Sequence, residues 1–174
     1  CCFDKTGTIT GEDLILRGLV QEGKLNKDVD QCTEFSQIVM ASCHSICQMP
    51  DGDISGDPME MAILKFSNFQ INGNRLTRSG DVIVIEKRFQ FASEKKRMSC
   101  MVNYNTKKYV VTKGAPETIK TLLKVIPDNY TNVADRYAKK GARVIAMAYA
   151  PTTVAVTNDL DQEKVEVDLI FAGF

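Results

Sequence analysis

Asp4-Lys5-Thr6-Gly7-Thr8 follows the short apolar stretch Cys1-Cys2-Phe3 and continues as a Gly-containing loop through Gly11. A carboxylate at the end of a buried strand, ahead of such a loop, can attack a phosphoryl group and form an aspartyl-phosphate. That reaction drives one anion toward another, so it needs Mg2+ and cationic donors. Lys5 stands beside the nucleophile, and Thr6 and Thr8 offer hydroxyls to phosphate oxygens. Thr6 also bears on the fate of the product. A phosphohydrolase wants an ionisable general acid and base two positions past the nucleophile. Threonine cannot serve, so phospho-Asp4 is expected to persist. The ordinary alternative is that Asp4 merely opens a turn. A specified five-residue string arises by chance about once per million positions, which weighs against it.

A second set of residues lies in the middle of the chain. Phe91 is flanked by Glu86, Lys87 and Arg88 on one side and by Glu94, Lys95, Lys96 and Arg97 on the other. This suits an exposed aromatic beside a basic groove, although a plain core ring is the alternative. An adenine site wants such a face, worth ~1–3 kcal/mol per base in single-strand sites, with polar groups for the base edge and cations for phosphates. No Walker A loop occurs, so nothing supports a P-loop mechanism. Cys43-His44-Ser45-Ile46-Cys47 suggests a metal site, but no second ligand pair has zinc-like spacing. Buried, reduced thiols explain the six scattered cysteines better.

The elements that must position these groups belong to one ordinary domain of 174 residues. Twenty-two basic and 22 acidic residues cancel, which leaves no basic footprint for nucleic acid. No apolar run approaches the ~20 residues that span a bilayer, so any membrane is expected to be met only through parts outside this chain. Residues 14–20 suggest a strand and residues 28–49 a helix. Asp57-Pro58 places an N-cap before a first-turn proline, opening a helix that should run to about Phe66. Residues 68–80 read as a polar, turn-rich loop. Strands are expected over 82–85 and 89–91, then a hairpin of 97–102 with 108–112, and later strands at 144–149 and 165–171. Helices are expected over 115–125 and over 130–140, the latter closed by Gly141. Strands outnumber helices without regular alternation, which predicts an α+β fold built on an antiparallel sheet flanked by helices.

Several ordered motifs carry a resemblance. Asp4-Lys5-Thr6-Gly7-Thr8-Ile9-Thr10 is similar to the phosphorylation signature of P-type ATPases. Gly56-Asp57-Pro58-Met59-Glu60 resembles a helix-opening motif of their nucleotide-binding domain, and 91–99 resembles the FxSxxKRMS stretch. Lys113-Gly114-Ala115-Pro116-Glu117 matches KGAPE, and 141–146 resembles the GxRVxA strand. The opening CCFDKTGT, Ala41-Ser42-Cys43-His44-Ser45 and the GDPME form look most like the type V group, closest to its endoplasmic-reticulum branch. Glu94-Lys95 departs from many relatives, which carry a small residue followed by an apolar one.

The resemblance implies a nucleotide-binding domain over 13–174, entered from the edge of an α/β phosphorylation domain over 1–12. It implies ATP and Mg2+ as cofactors, with Asp4, Lys5 and Thr6 catalytic and Asp4 and Thr6 contributing to the metal site. Phe91 would stack on adenine, Glu60 would accept near the adenine amino group, and Lys113 would lie at the bottom of the pocket. Gly114 would admit the base closely, and Lys96 and Arg143 would meet phosphates. A solvated carboxylate for Glu60, and plain surface charge for Lys96 and Arg143, are the competing readings. Asp57 is better read as a cap than a ligand contact, and Ser42, Cys43 and His44 as structural. The family completes its site with a Thr-Gly-Asp segment and a DGxNDxxAL motif, neither present in these 174 residues. The chain alone is therefore expected to bind ATP but turn it over poorly, and to work with the actuator, membrane and remaining phosphorylation parts of its polypeptide. The setting implied is the cytosolic side of an endoplasmic-reticulum membrane protein that handles misplaced transmembrane helices. Other classes stay open: a phosphohydrolase of the Asp-nucleophile superfamily, or an interaction module with a vestigial pocket and residues 68–80 as its contact.

Overall fold

Side chains alternate in their burial partners along the run from Arg97 to Tyr104. Met98, Cys100, Val102 and Tyr104 join one apolar cluster, whereas Met101 joins another. A period of two with both sides covered demands a strand sandwiched between two layers. The computed structural model describes residues 15–174 and has that architecture. The expected strand tail at 1–3, the Asp4 loop and the 12/13 boundary lie outside the described residues.

In chain order, β1 (Leu19–Gln21) and β2 (Lys24–Asn26) form a small antiparallel pair, followed by a 3-10 turn at Val29–Gln31 and helix α1 (Glu34–Ser42). A second small pair, β3 (Cys47–Gln48) and β4 (Ile54–Ser55), precedes helix α2 (Pro58–Ser67). Next come β5 (Gln70–Asn72), β6 (Arg75–Arg78), β7 (Asp81–Ala92), β8 (Arg97–Tyr104) and β9 (Lys107–Gly114). Helices α3 (Pro116–Leu122) and α4 (Tyr130–Ala138), strand β10 (Ala146–Pro151), the short helix α5 (Gln162–Val165) and strand β11 (Ile170–Gly173) complete the described chain. The strands β5 to β11 make one seven-stranded sheet in the order β11-β10-β9-β8-β7-β6-β5, antiparallel throughout. Helices α1 and α2 cover one face, where Ile38, Val39, Ile63 and Leu64 meet Met98, Cys100, Val111 and Met147. On the other face Ile119 and Tyr130, from α3 and α4, meet Met101, Val110, Ala146 and Ala148.

Local chemistry accounts for the element ends. Asp57 Oδ1 accepts from Met59 N at 2.8 Å, with Pro58 at the first position of α2, as the sequence predicts. Asn105 and Thr106 both take positive φ, 49° and 63°, the combination a two-residue type I′ hairpin needs between β8 and β9.

Three expectations change. The helix over 28–49 shrinks to the 3-10 turn and α1, because the chain leaves helical geometry at Cys43 (φ −88°, ψ 79°). Ile46 is a core residue, 2% exposed, but beyond that helix. The loop at 68–80 is a hairpin, β5–β6, turning at Gly73 (φ +60°) and anchored by fully buried Leu76. Its remaining strand residues are mostly polar and none is fully buried, Ile71 alone adding apolar packing, so no apolar alternation announced them. The strand expected at 165–171 divides, with Val165 closing α5, Asp168 at φ 52° and β11 starting only at Ile170.

Candidate functional site

Register brings the site residues to one end of the central strands. One cross-sheet row pairs Ala92 with Arg97, Arg97 with Gly114, and Gly114 with Ala146. The next row inward pairs Met98 with Lys113 and Lys113 with Met147. Between Phe89, opposite Ser99, and Ala92, opposite Arg97, β7 carries two residues, Gln90 and Phe91, against the single Met98. That two-for-one count is a β-bulge, a device that re-aims a side chain. Phe91 is 58% exposed, which dismisses the core reading, and the core ring of this segment is Phe89 instead.

The floor of this end is polar and buried. Glu60, in the first turn of α2, is 6% exposed, so it is no solvated helix carboxylate. Its Oε2 accepts from Ser45 N and Ser45 Oγ, both at 2.9 Å, and Oε1 lies 2.9 Å from Lys113 Nζ. Burial pushes the Glu60 carboxyl upward, but Lys113 and the two Ser45 donors outweigh it and hold it below its ordinary range. Lys113 Nζ sits beside Glu60 as an ion pair without an aligned hydrogen bond among the described residues. An ammonium has three donors, and leaving them unmet away from water is costly. A ligand acceptor here would satisfy them.

His44 is 1% exposed and lies behind that floor. Its Nδ1 accepts from Ile46 N at 3.1 Å and its carbonyl accepts from Arg88 Nε at 3.2 Å. Burial, then the Arg88 charge, lowers its pKa to about 4, so the imidazole is neutral. Ser42 Oγ donates to Ile38 O at 2.6 Å, and the fully buried Cys43 thiol is pushed well up by desolvation. Among the described residues, no group of three His, Cys, Asp or Glu is placed to hold a metal.

Gly114 is closely approached by the chain itself. A Cβ there would fall 2.5 Å from Lys96 O and 2.7 Å from Arg97 Cβ, so the protein's own turn occupies the space. Lys96 itself takes φ +50°, and its ammonium lies 3.4 Å from Glu117 Oε1, both side chains exposed. Arg143 is exposed on the segment that enters the sheet at Ala146, opposite Gly114. Thus Glu60 and Lys113 are in contact, Phe91, Lys96 and Gly114 lie at the same end of the sheet, and Arg143 lies on the exposed segment leading to it, while Asp4, Lys5 and Thr6 lie outside the described residues. Sequence reading missed Ser45, whose role depends on a fold-back no spacing announces, and Glu117, which lay in plain sight in the Lys113–Glu117 motif.

A family model described as "P-type ATPase, cytoplasmic domain N" matches residues 31–174. An endoplasmic reticulum transmembrane helix translocase of Saccharomyces cerevisiae is 36% identical over 100% of this chain, which spans 15% of that protein. A probable manganese-transporting ATPase, PDR2, of Arabidopsis thaliana is 37% identical over 100% of the chain and 16% of its own length. A probable cation-transporting ATPase 13A4 of Gallus gallus is 33% identical over 99% of the chain and 17% of its own. No helix among the described residues is long and apolar enough to cross a membrane.

Proposed function

The chain belongs to the P-type ATPase family, as cytoplasmic domain N, and we propose that the end of its sheet carrying Phe91 and Lys113 binds ATP. The observation that carries this reading is the buried Glu60–Lys113 pair, whose cation lacks an aligned acceptor among the described residues, at the same end of the sheet as the exposed Phe91 ring. Phe91 stacks on the adenine, Glu60 accepts from its amino group, and Lys113 donates to the base edge. Lys96 and Arg143, at the outer row, hold the phosphates.

ATP supplies the phosphoryl group, and Mg2+ when bound would neutralise its charge. Asp4 is the nucleophile: its carboxylate oxygen bonds to the γ-phosphorus as the bond to the bridging oxygen breaks and ADP leaves. Lys5 and Thr6 stabilise the charge that develops, and Asp4 and Thr6 would help to hold the Mg2+. We assign residues 1–12 to the edge of the phosphorylation domain and 13–174 to the nucleotide-binding domain. In the intact polypeptide, the phosphorylated state drives a membrane step. The yeast relative's name supports an endoplasmic-reticulum setting and transmembrane helices as cargo.

An amide NMR titration of this chain with ATP, and with CTP as control, tests the nucleotide reading. Shifts should cluster at Phe91, Lys113 and Glu60, larger for ATP. Phe91→Ala should weaken binding by roughly 5- to 150-fold, the loss of one stacking platform. Flat spectra with both nucleotides would overturn the proposal.

A further inference from the structure

We infer that Glu166 is a positioning residue for the phosphate side of this site, holding Lys96 in place through Arg97; the inference rests on the ATP reading above. Arg97 and Ser99 alternate with Met98 along β8, so they lie on the sheet face opposite Lys113 and Glu60. There the Glu166 side chain is wholly buried. Its Oε2 accepts from Arg97 Nε at 2.7 Å, and its Oε1 accepts from Gln162 Nε2 at 2.7 Å and from Ser99 Oγ. Ser99 Oγ in turn meets Thr112 Oγ1 at 2.9 Å.

A carboxylate this deep is tolerated only when paired and hydrogen-bonded. Its charged partner, Arg97, directly follows Lys96. Glu163, one turn away on α5, takes Lys95 Nζ at 2.6 Å and lies 3.9 Å from Arg97 Nη2. Both neighbours of Lys96 are therefore drawn toward α5. Lys96 is left facing outward, its ammonium meeting, among the described residues, only the exposed Glu117.

The backbone of Lys96 is held as tightly. Its N–H donates to Ala92 O at 2.8 Å and its carbonyl accepts from Ala115 N at 3.0 Å. The left-handed φ of +50° costs a non-glycine residue ~1–2 kcal/mol. Such a conformation persists where the surroundings over-determine it. The Glu166–Arg97 clamp is one of those surroundings, reaching the turn from the far face without touching the base-binding groups.

The test compares ATP with adenosine, which lacks every phosphate, in NMR titrations of this chain. Wild type, Glu166→Gln, Lys96→Ala and the double variant are each titrated. Glu166→Gln should weaken ATP about tenfold and leave adenosine within about twofold. In the Lys96→Ala background it should cost nothing further, because the two act as a unit. Should Glu166→Gln not fold, Arg97→Lys, which keeps the charge but loses the planar fork, carries the same comparison. Equal losses for ATP and adenosine, additive losses in the double variant, or unchanged ATP affinity would each overturn the positioning role. Wild-type chain that binds no ATP would instead overturn the reading beneath it.

Discussion

Lys113 Nζ stands 2.9 Å from Glu60 Oε1 with both side chains 7% exposed, so a strand and a distant helix turn are joined by a buried ion pair. Removing one partner of such a pair leaves an uncompensated charge, typically costing about 3–5 kcal/mol. Glu60→Gln should therefore lower the denaturant midpoint strongly. Glu60→Gln combined with Lys113→Met should recover much of that loss while ATP binding stays abolished. Urea unfolding of the two variants checks the stability half, and ATP titration the binding half.

The same carboxyl predicts an acid limb in stability. Its folded pKa is depressed below the ordinary carboxylate range, so its contribution is complete above the unfolded value of 4.5 and is lost as pH falls through the folded one. Unfolding curves taken from pH 5 downward should show a steeper loss for wild type than for Glu60→Gln.

His44 acts in a separate window and is the chain's single histidine. Its folded pKa, about 4 against an ordinary 6.5, means the unfolded chain binds one more proton between those values. Stability is then complete above pH 6.5 and declines as pH falls toward 4, by on the order of 3 kcal/mol. His44→Gln should flatten the curve in that window. The imidazole Cε1–H resonance should titrate near pH 4; a midpoint at 6.5 would show that the ring is not held neutral by burial.

Lys96 sets stability against binding. Lys96→Gly relieves the left-handed strain and should raise stability by up to about 1 kcal/mol, and the melting temperature with it, while weakening ATP. Gly114→Ala pushes a methyl into Lys96 O and should destabilise by about 1–3 kcal/mol. Differential scanning calorimetry with nucleotide titration resolves both signs.

Leu76 tests the hairpin that replaces the expected loop. Leu76→Ala should cost about 2–5 kcal/mol and increase amide exchange across β5 and β6, whereas an anchor without packing would leave exchange unchanged.

Much of this was legible in the sequence because it depends on short-range chemistry. Asp57-Pro58 starts α2 through a cap that any chain context permits, and alternation along residues 97–112 dictates a hairpin with two covered faces. Phe91, Lys113 and Gly114 stand out by type and by motif. Other features depend on partners far along the chain, and there residue type misleads. Glu60 and Glu166 look like solvent carboxylates until the fold buries one against Lys113 and Ser45 and the other against Arg97 and Ser99. The β5–β6 hairpin was hidden because a single buried leucine carries its packing. At Gly114 the sequence shows only a missing side chain, and the tertiary structure shows that Lys96 and Arg97 pack against it. The sequence alone determined which residues could do chemistry and that the strand over 97–102 pairs with the one over 108–112. Tertiary structure decided which charges leave water, because desolvation depends on every layer that closes over a group and not on its neighbours in the chain.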